Sequence, residues 1–89
     1  MPAKHLLISG LVQGVFFRAN SQKKAQELDL VGWIKNTKDS RVETIIQGDM
    51  AKVEEFIRWC QYDAPGKVTK IKERKIPMDD RFESFDILY

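Results

Sequence analysis

Apolar residues crowd the first strand-length stretch of this chain. Leu6, Leu7, Ile8, Leu11 and Val12 fall within residues 5–12. A nearly continuous run of this kind predicts a central strand covered on both faces. Beyond it the period changes. Phe17, Ser21, Ala25 and Leu28 recur at spacings of four and three, as on the buried stripe of a helix, and Asp29 and Gly32 bracket its end. Val31–Asn36 and Val42–Gln47 read as two strands. The short polar segment 37–41 between them makes the pair a hairpin. Gly48-Asp49 ends the second strand, and Asp49 suits a helix N-cap. Val53, Phe56, Ile57 and Cys60 follow at i, i+3, i+4 and i+7, an amphipathic helix that Ala64-Pro65-Gly66 terminates. From Val68 to Ile76 the cations Lys70, Lys72 and Arg74 predict a strand with one wet face or an edge strand guarded by charge. Residues 77–81 form a charged loop, and 82–88 hold the last strand.

The order is β-α-β-β-α-β with a short extra terminal strand. That is an α+β fold of the ferredoxin-like, split β-α-β kind, an antiparallel sheet with two helices on one face. A chain of 89 residues is expected to form a single domain, residues 1–89.

Between the first strand and the first helix lies residues 10–18, GLVQGVFFR. Glycine lets backbone N–H groups close on an anion, and a helix N-terminus adds partial positive charge. Arg18 supplies a planar fork of donors matched to phosphate oxygens. The run therefore suits a phosphate cradle. As a bare glycine pattern it also fits an ordinary loop with a solvated arginine, and Asn36 fits an ordinary hairpin-turn asparagine.

Composition narrows the partners. A net charge of +2 and a pI near 8.8 are too weak to argue for nucleic acid, though they favour a small anionic substrate. Cys60 is the sole cysteine, so no internal disulfide forms, which fits a reducing compartment. The N-terminal apolar run is too short for a signal peptide, and no segment is long enough for a membrane span. A cytoplasmic location, no membrane contact and a monomeric state are the expectations.

A second segment, residues 32–43, GWIKNTKDSRVE, completes a pattern. Together the two resemble the acylphosphatase family, whose signatures are a G-x-V-Q-G-V-x-F-R loop and a G-W-V-x-N-x-x-D-G-x-V-E segment. Trp59-Cys60, Pro65-Gly66 and Phe85-Asp86-Ile87 extend the resemblance along nearly the whole chain. It implies the same ferredoxin-like fold and the hydrolysis of acyl phosphates to a carboxylate and inorganic phosphate. It implies that Arg18 binds the phosphoryl group and Asn36 positions the attacking water. The loop of Gln13, Gly14, Val15, Phe16, Phe17 and Arg18 would complete the anion site and take phosphate or sulfate. No cofactor and no metal are implied. That is chemically sensible: the leaving carboxylate has a pKa near ~4 and needs no general acid or Lewis acid.

Two positions depart from the pattern. Ser40 stands where the family has glycine, and would be strained if the turn requires positive φ. Asp29 stands in a run usually read Leu-Gly-Leu. RNA-recognition domains share the element order, but Val42–Gln47 carries no aromatic residue, so no nucleic-acid partner is expected. A silent binding domain on this fold is the other alternative, against which Arg18 and Asn36 stand. His5, Trp33, Trp59 and Cys60 read as structural, and Asp79-Asp80 as solvated.

Overall fold

The computed structural model describes residues 2–89. Its elements are β1 (Ala3–Leu11), α1 (Phe17–Glu27), β2 (Val31–Asn36), β3 (Val42–Gln47), α2 (Met50–Tyr62), β4 (Lys67–Ile76) and β5 (Phe85–Leu88). The strands form one sheet in the order β4-β1-β3-β2-β5. β1 pairs antiparallel with β3 and β4, and β2 antiparallel with β3. The ferredoxin-like order read from the sequence is present, and of the two readings of β4 the edge strand is the one found. The terminal strand adds a detail: β5 runs parallel to β2, with Phe85 opposite Gly32 and Ile87 opposite Ile34.

β4 and β5 lie at opposite edges of the sheet, so no tight turn can join them. Segment 77–84 carries the chain across, and Gln47 clamps it. The Gln47 side chain donates to Asp79 O at 3.0 Å and accepts from Asp79 N at 2.8 Å. Asp79 is therefore not simply solvated. Its carboxylate also takes Arg81 Nε and Nη2, at 3.0 and 2.9 Å.

The core follows from strand alternation. Leu6, Ile8, Ile34, Val42, Ile46 and Phe85 are buried with Phe17, Ala25 and Leu28 of the α1 region and Val53, Phe56 and Cys60 of α2. Ile57 packs at its margin. Only this face of the sheet is covered, which corrects the two-sided burial expected for β1. Leu7 is half-buried opposite Glu43 and Lys72, and Leu11 is exposed. His5 Nε2 donates to Glu43 Oε2 at 2.7 Å on the open face.

Helix ends match their residues. Asp49 caps α2, accepting from Ala51 N at 3.1 Å and Lys52 N at 3.4 Å. α1 ends with Asp29 in the left-handed region at φ 56. Leu30 N donates back to Ala25 O at 2.9 Å and Asp29 N to Gln26 O at 3.1 Å, a helix stop in which glycine is the usual residue.

Candidate active site

The crossing from β1 to α1 builds one wall. Gly14 has φ 74, and a Cβ placed on it would meet open space. Glycine is needed there for the backbone angle rather than for room. Phe16, at the N-cap of α1, has φ 63 and no side-chain capping bond. Among the described residues, none of the N–H groups of Gly14 to Ala19 donates to a protein acceptor. A loop and helix start with this many free donors has the chemistry to receive an anion.

The loop is tied down on three sides. The Gln13 side chain donates to Thr37 O at 3.0 Å and to Arg41 O at 2.8 Å, joining the loop to the β2–β3 hairpin. Asn20 N and Nδ2 both donate to Phe16 O, at 3.1 and 2.9 Å. Behind it lies Gly66, where a Cβ would come within 2.2 Å of Leu11 O and 2.8 Å of a Val15 methyl. The break after α2 can back the loop this closely only as glycine.

The hairpin fixes Asn36, the last residue of β2. Thr37 N donates to Arg41 O at 2.8 Å, and Arg41 N to Thr37 Oγ1 at 3.0 Å. The Thr37 hydroxyl donates to Asp39, and the Arg41 guanidinium grips the same carboxylate through Nε, at 2.9 Å, and Nη2. Arg41 first and Thr37 second hold the Asp39 carboxyl down at about 2. Ser40 has φ 70, so the serine that replaces the family glycine does sit in the left-handed region.

These walls meet at a pocket of about 270 Å³ lined by Val12, Gly14, Phe16, Phe17, Arg18, Ala19, Asn36, Ile87 and Tyr89. Of the candidate residues, Arg18, Asn36, Gly14, Phe16 and Phe17 meet here. Gln13 spends its side chain on the hairpin, and Val15 packs against the core. Phe17 is a core residue with one side on the pocket. Arg18 is half-buried, with the Tyr89 ring 5.1 Å from its Cζ. Asn36 Oδ1 is out of solvent contact and has no donor among the described residues. A lone buried amide oxygen costs about 1–3 kcal/mol. A half-turn of the amide about its soft χ2 would carry this oxygen to the pocket side, within reach of a donor there.

Ile87 and Tyr89 are not among the site residues read from the sequence. They reach the pocket because β5 lies against β2, a pairing with no local signature. Cys60 stays buried; desolvation pushes its thiol up, opposed by the Ser21 hydroxyl across the helix pair. It faces no pocket residue's chemistry.

Known proteins share this architecture. A curated acylphosphatase of Methylococcus capsulatus is 38% identical over 89 residues, covering 99% of this chain and 97% of the relative. One from a Synechococcus strain is 39% identical over 83 residues, covering 93% and 88%. The crystal structure of acylphosphatase from Bacillus subtilis superposes with a TM-score of 0.94 at 32% identity, covering 100% of both chains. The acylphosphatase family profile matches residues 4–87. With that match over nearly its whole length, the chain belongs to the acylphosphatase family.

Proposed function

We propose that this protein hydrolyses acyl phosphates, with the 270 Å³ pocket as its active site. The observation that carries the reading is one cavity lined at once by a cation, Arg18, by an unpartnered amide side chain, Asn36, and by a loop of free N–H groups. Inorganic phosphate, as product, is expected to occupy the same cradle. The proposed working unit is a monomer with residues 1–89 as its catalytic domain. The lone unpaired cysteine fits a cytoplasmic site of action.

In this mechanism Arg18 and the loop amides hold the phosphoryl oxygens and take up the charge that builds on them. Asn36 accepts a hydrogen bond from a water and aims its lone pair at phosphorus. The new P–O bond forms as the bond to the acyl oxygen breaks, and the carboxylate leaves with that electron pair. A carboxylate is stable at neutral pH, so no group protonates it. The water's proton passes to a phosphoryl oxygen or to solvent, since an amide is a poor base. Catalysis then consists of placement and electrostatics, which this small set of groups can supply.

Steady-state hydrolysis of acetyl phosphate and an aryl-acyl phosphate tests the reading. Wild type should turn over both. Asn36→Ala should lower kcat by about 10²-fold or more with KM nearly unchanged, as for a group acting in the transition state. Arg18→Ala should damage both constants. A folded Asn36→Ala protein with wild-type kcat would sink the water-orienting role.

A further inference from the structure

Among the described residues, three other than glycine have positive φ: Phe16, Asp29 and Ser40. Asp29 and Ser40 are short and polar. Phe16 is not, and a bulky side chain is a costly occupant of the left-handed region. The fold gives its ring nothing in exchange. The residue is 80% exposed and takes no part in the core cluster or its stacked rings. An exposed ring by itself is ordinary. This one lines the pocket, and its exposure puts it at the mouth.

The pocket is chemically two-sided. Arg18, Asn36 and the loop amides suit the phosphoryl end of a substrate. The carbon skeleton of the acyl end has no use for those groups and must meet the remaining wall. There Val12, Phe16, Ala19 and Ile87 are apolar. Val12 is buried, so Phe16 is the largest apolar side chain of the four within reach of a ligand. The motif G-x-V-Q-G-V-x-F-R leaves position 16 open, so the anion chemistry does not dictate a phenylalanine there.

We infer that Phe16 is a specificity-determining residue, whose ring receives the acyl end of the substrate and favours flat apolar acyl groups, aryl ones above all, over acetyl. The inference rests on the proposed hydrolysis of acyl phosphates in this pocket. An aryl group stacks on the ring, whereas a methyl group covers little of it. The contact is alike before and during P–O cleavage, so it belongs in KM rather than in kcat.

The readout is the ratio of kcat/KM for benzoyl phosphate to that for acetyl phosphate. Damage to the anion cradle falls on both substrates and cancels in this ratio. Phe16→Asn removes the ring and keeps a residue that accepts positive φ. It should lower the ratio about three- to ten-fold, the range of one aromatic pair, chiefly by raising KM for benzoyl phosphate. Phe16→Tyr keeps the ring and should keep the wild-type ratio. Phenacylphosphonate and acetonylphosphonate, in which a methylene replaces the labile oxygen, repeat the comparison without chemistry. The ratio of their inhibition constants should move by the same factor. Phe16 is exposed, so both variants are expected to fold, which circular dichroism checks.

A wild-type ratio in Phe16→Asn would overturn the inference. So would a Phe16→Tyr ratio as low as the asparagine one, or a loss confined to kcat. If wild type hydrolyses both substrates and Phe16→Asn keeps the ratio, acyl-phosphate hydrolysis stands and only the role of Phe16 falls. If wild type hydrolyses neither, the proposed function falls and the role of Phe16 falls with it.

Discussion

Asn36 and Ser40 lie four residues apart and both sit uneasily in the fold, but for different reasons. Asn36 Oδ1 is a buried acceptor without a donor among the described residues. Such an atom is tolerated where it serves a reaction and is a cost where it does not. Asn36→Ala removes the unpaired oxygen, so the variant that loses turnover should be no less stable than wild type, with a gain of up to ~1 kcal/mol. Thermal melts run beside the kinetics check this; a clear loss of stability would mean that the amide is bonded in solution and structural. Ser40 at φ 70 carries a backbone cost with no part in the pocket. Ser40→Gly should raise stability by up to ~1 kcal/mol, a few degrees in Tm for a domain of this size, with kcat unchanged. Phe16, at φ 63, carries the same kind of strain inside the cradle, where left-handed backbone turns amides toward a ligand. No pattern of residue types announces that angle at a phenylalanine.

Among elements, the β2–β3 hairpin has chemistry tied to pH. The Asp39 carboxyl is held at about 2 against an ordinary 3.8, by Arg41 and then Thr37. Its folded-state value is depressed, so ionised Asp39 supports the fold above pH ~4 and that support is lost as the pH falls toward 2. Asp39→Asn should therefore lower Tm at pH 6, by a margin that narrows as the pH falls toward 2. A gap as wide at pH 2 as at pH 6 would assign the loss to the amide's shape rather than to the charge. The same hairpin shows what a sequence discloses. Its strands, Val42–Gln47 and Val31–Asn36, lie at the residues their alternation marks, since a half-buried strand writes its period locally. α2 is equally legible, from its Asp49 cap and its i, i+3, i+4, i+7 stripe. β1 is not, because adjacent leucines do not say which alternate set faces the helices. Nor is the parallel pairing of β5, which depends on the Gln47–Asp79 clamp between segments far apart in sequence. Arg18 and Asn36 were legible only through a motif of fixed residue identities. Tyr89, which has no motif, emerges only when β5 is laid beside β2.

At the scale of the whole molecule, the pocket is where the fold's separate pieces converge. The β1–α1 loop, the end of β2 and the chain around β5 all line it. Gln13 ties the loop to the hairpin, and Gly66 backs the loop from the exit of α2. A ligand in the cradle is therefore lost whenever any one of these pieces opens, and by linkage it must stabilise them together. At a hundred times Kd that stabilisation is about 2.7 kcal/mol. For a domain of this size it should raise Tm by roughly 10–20 °C, because each kcal/mol moves the midpoint by about 4–8 °C. The measurement is a thermal melt with increasing inorganic phosphate, against chloride at matched ionic strength so that general screening cancels. Wild type should show a single transition that climbs with the logarithm of phosphate concentration. Arg18→Ala should show almost none of the climb, since the remaining amides bind the anion without its principal counter-charge. A phosphate-dependent climb equal in the two proteins would place the anion somewhere other than the cradle. A climb in part of a split transition would show that the loop and hairpin open without the rest of the sheet, contrary to the ties that hold them.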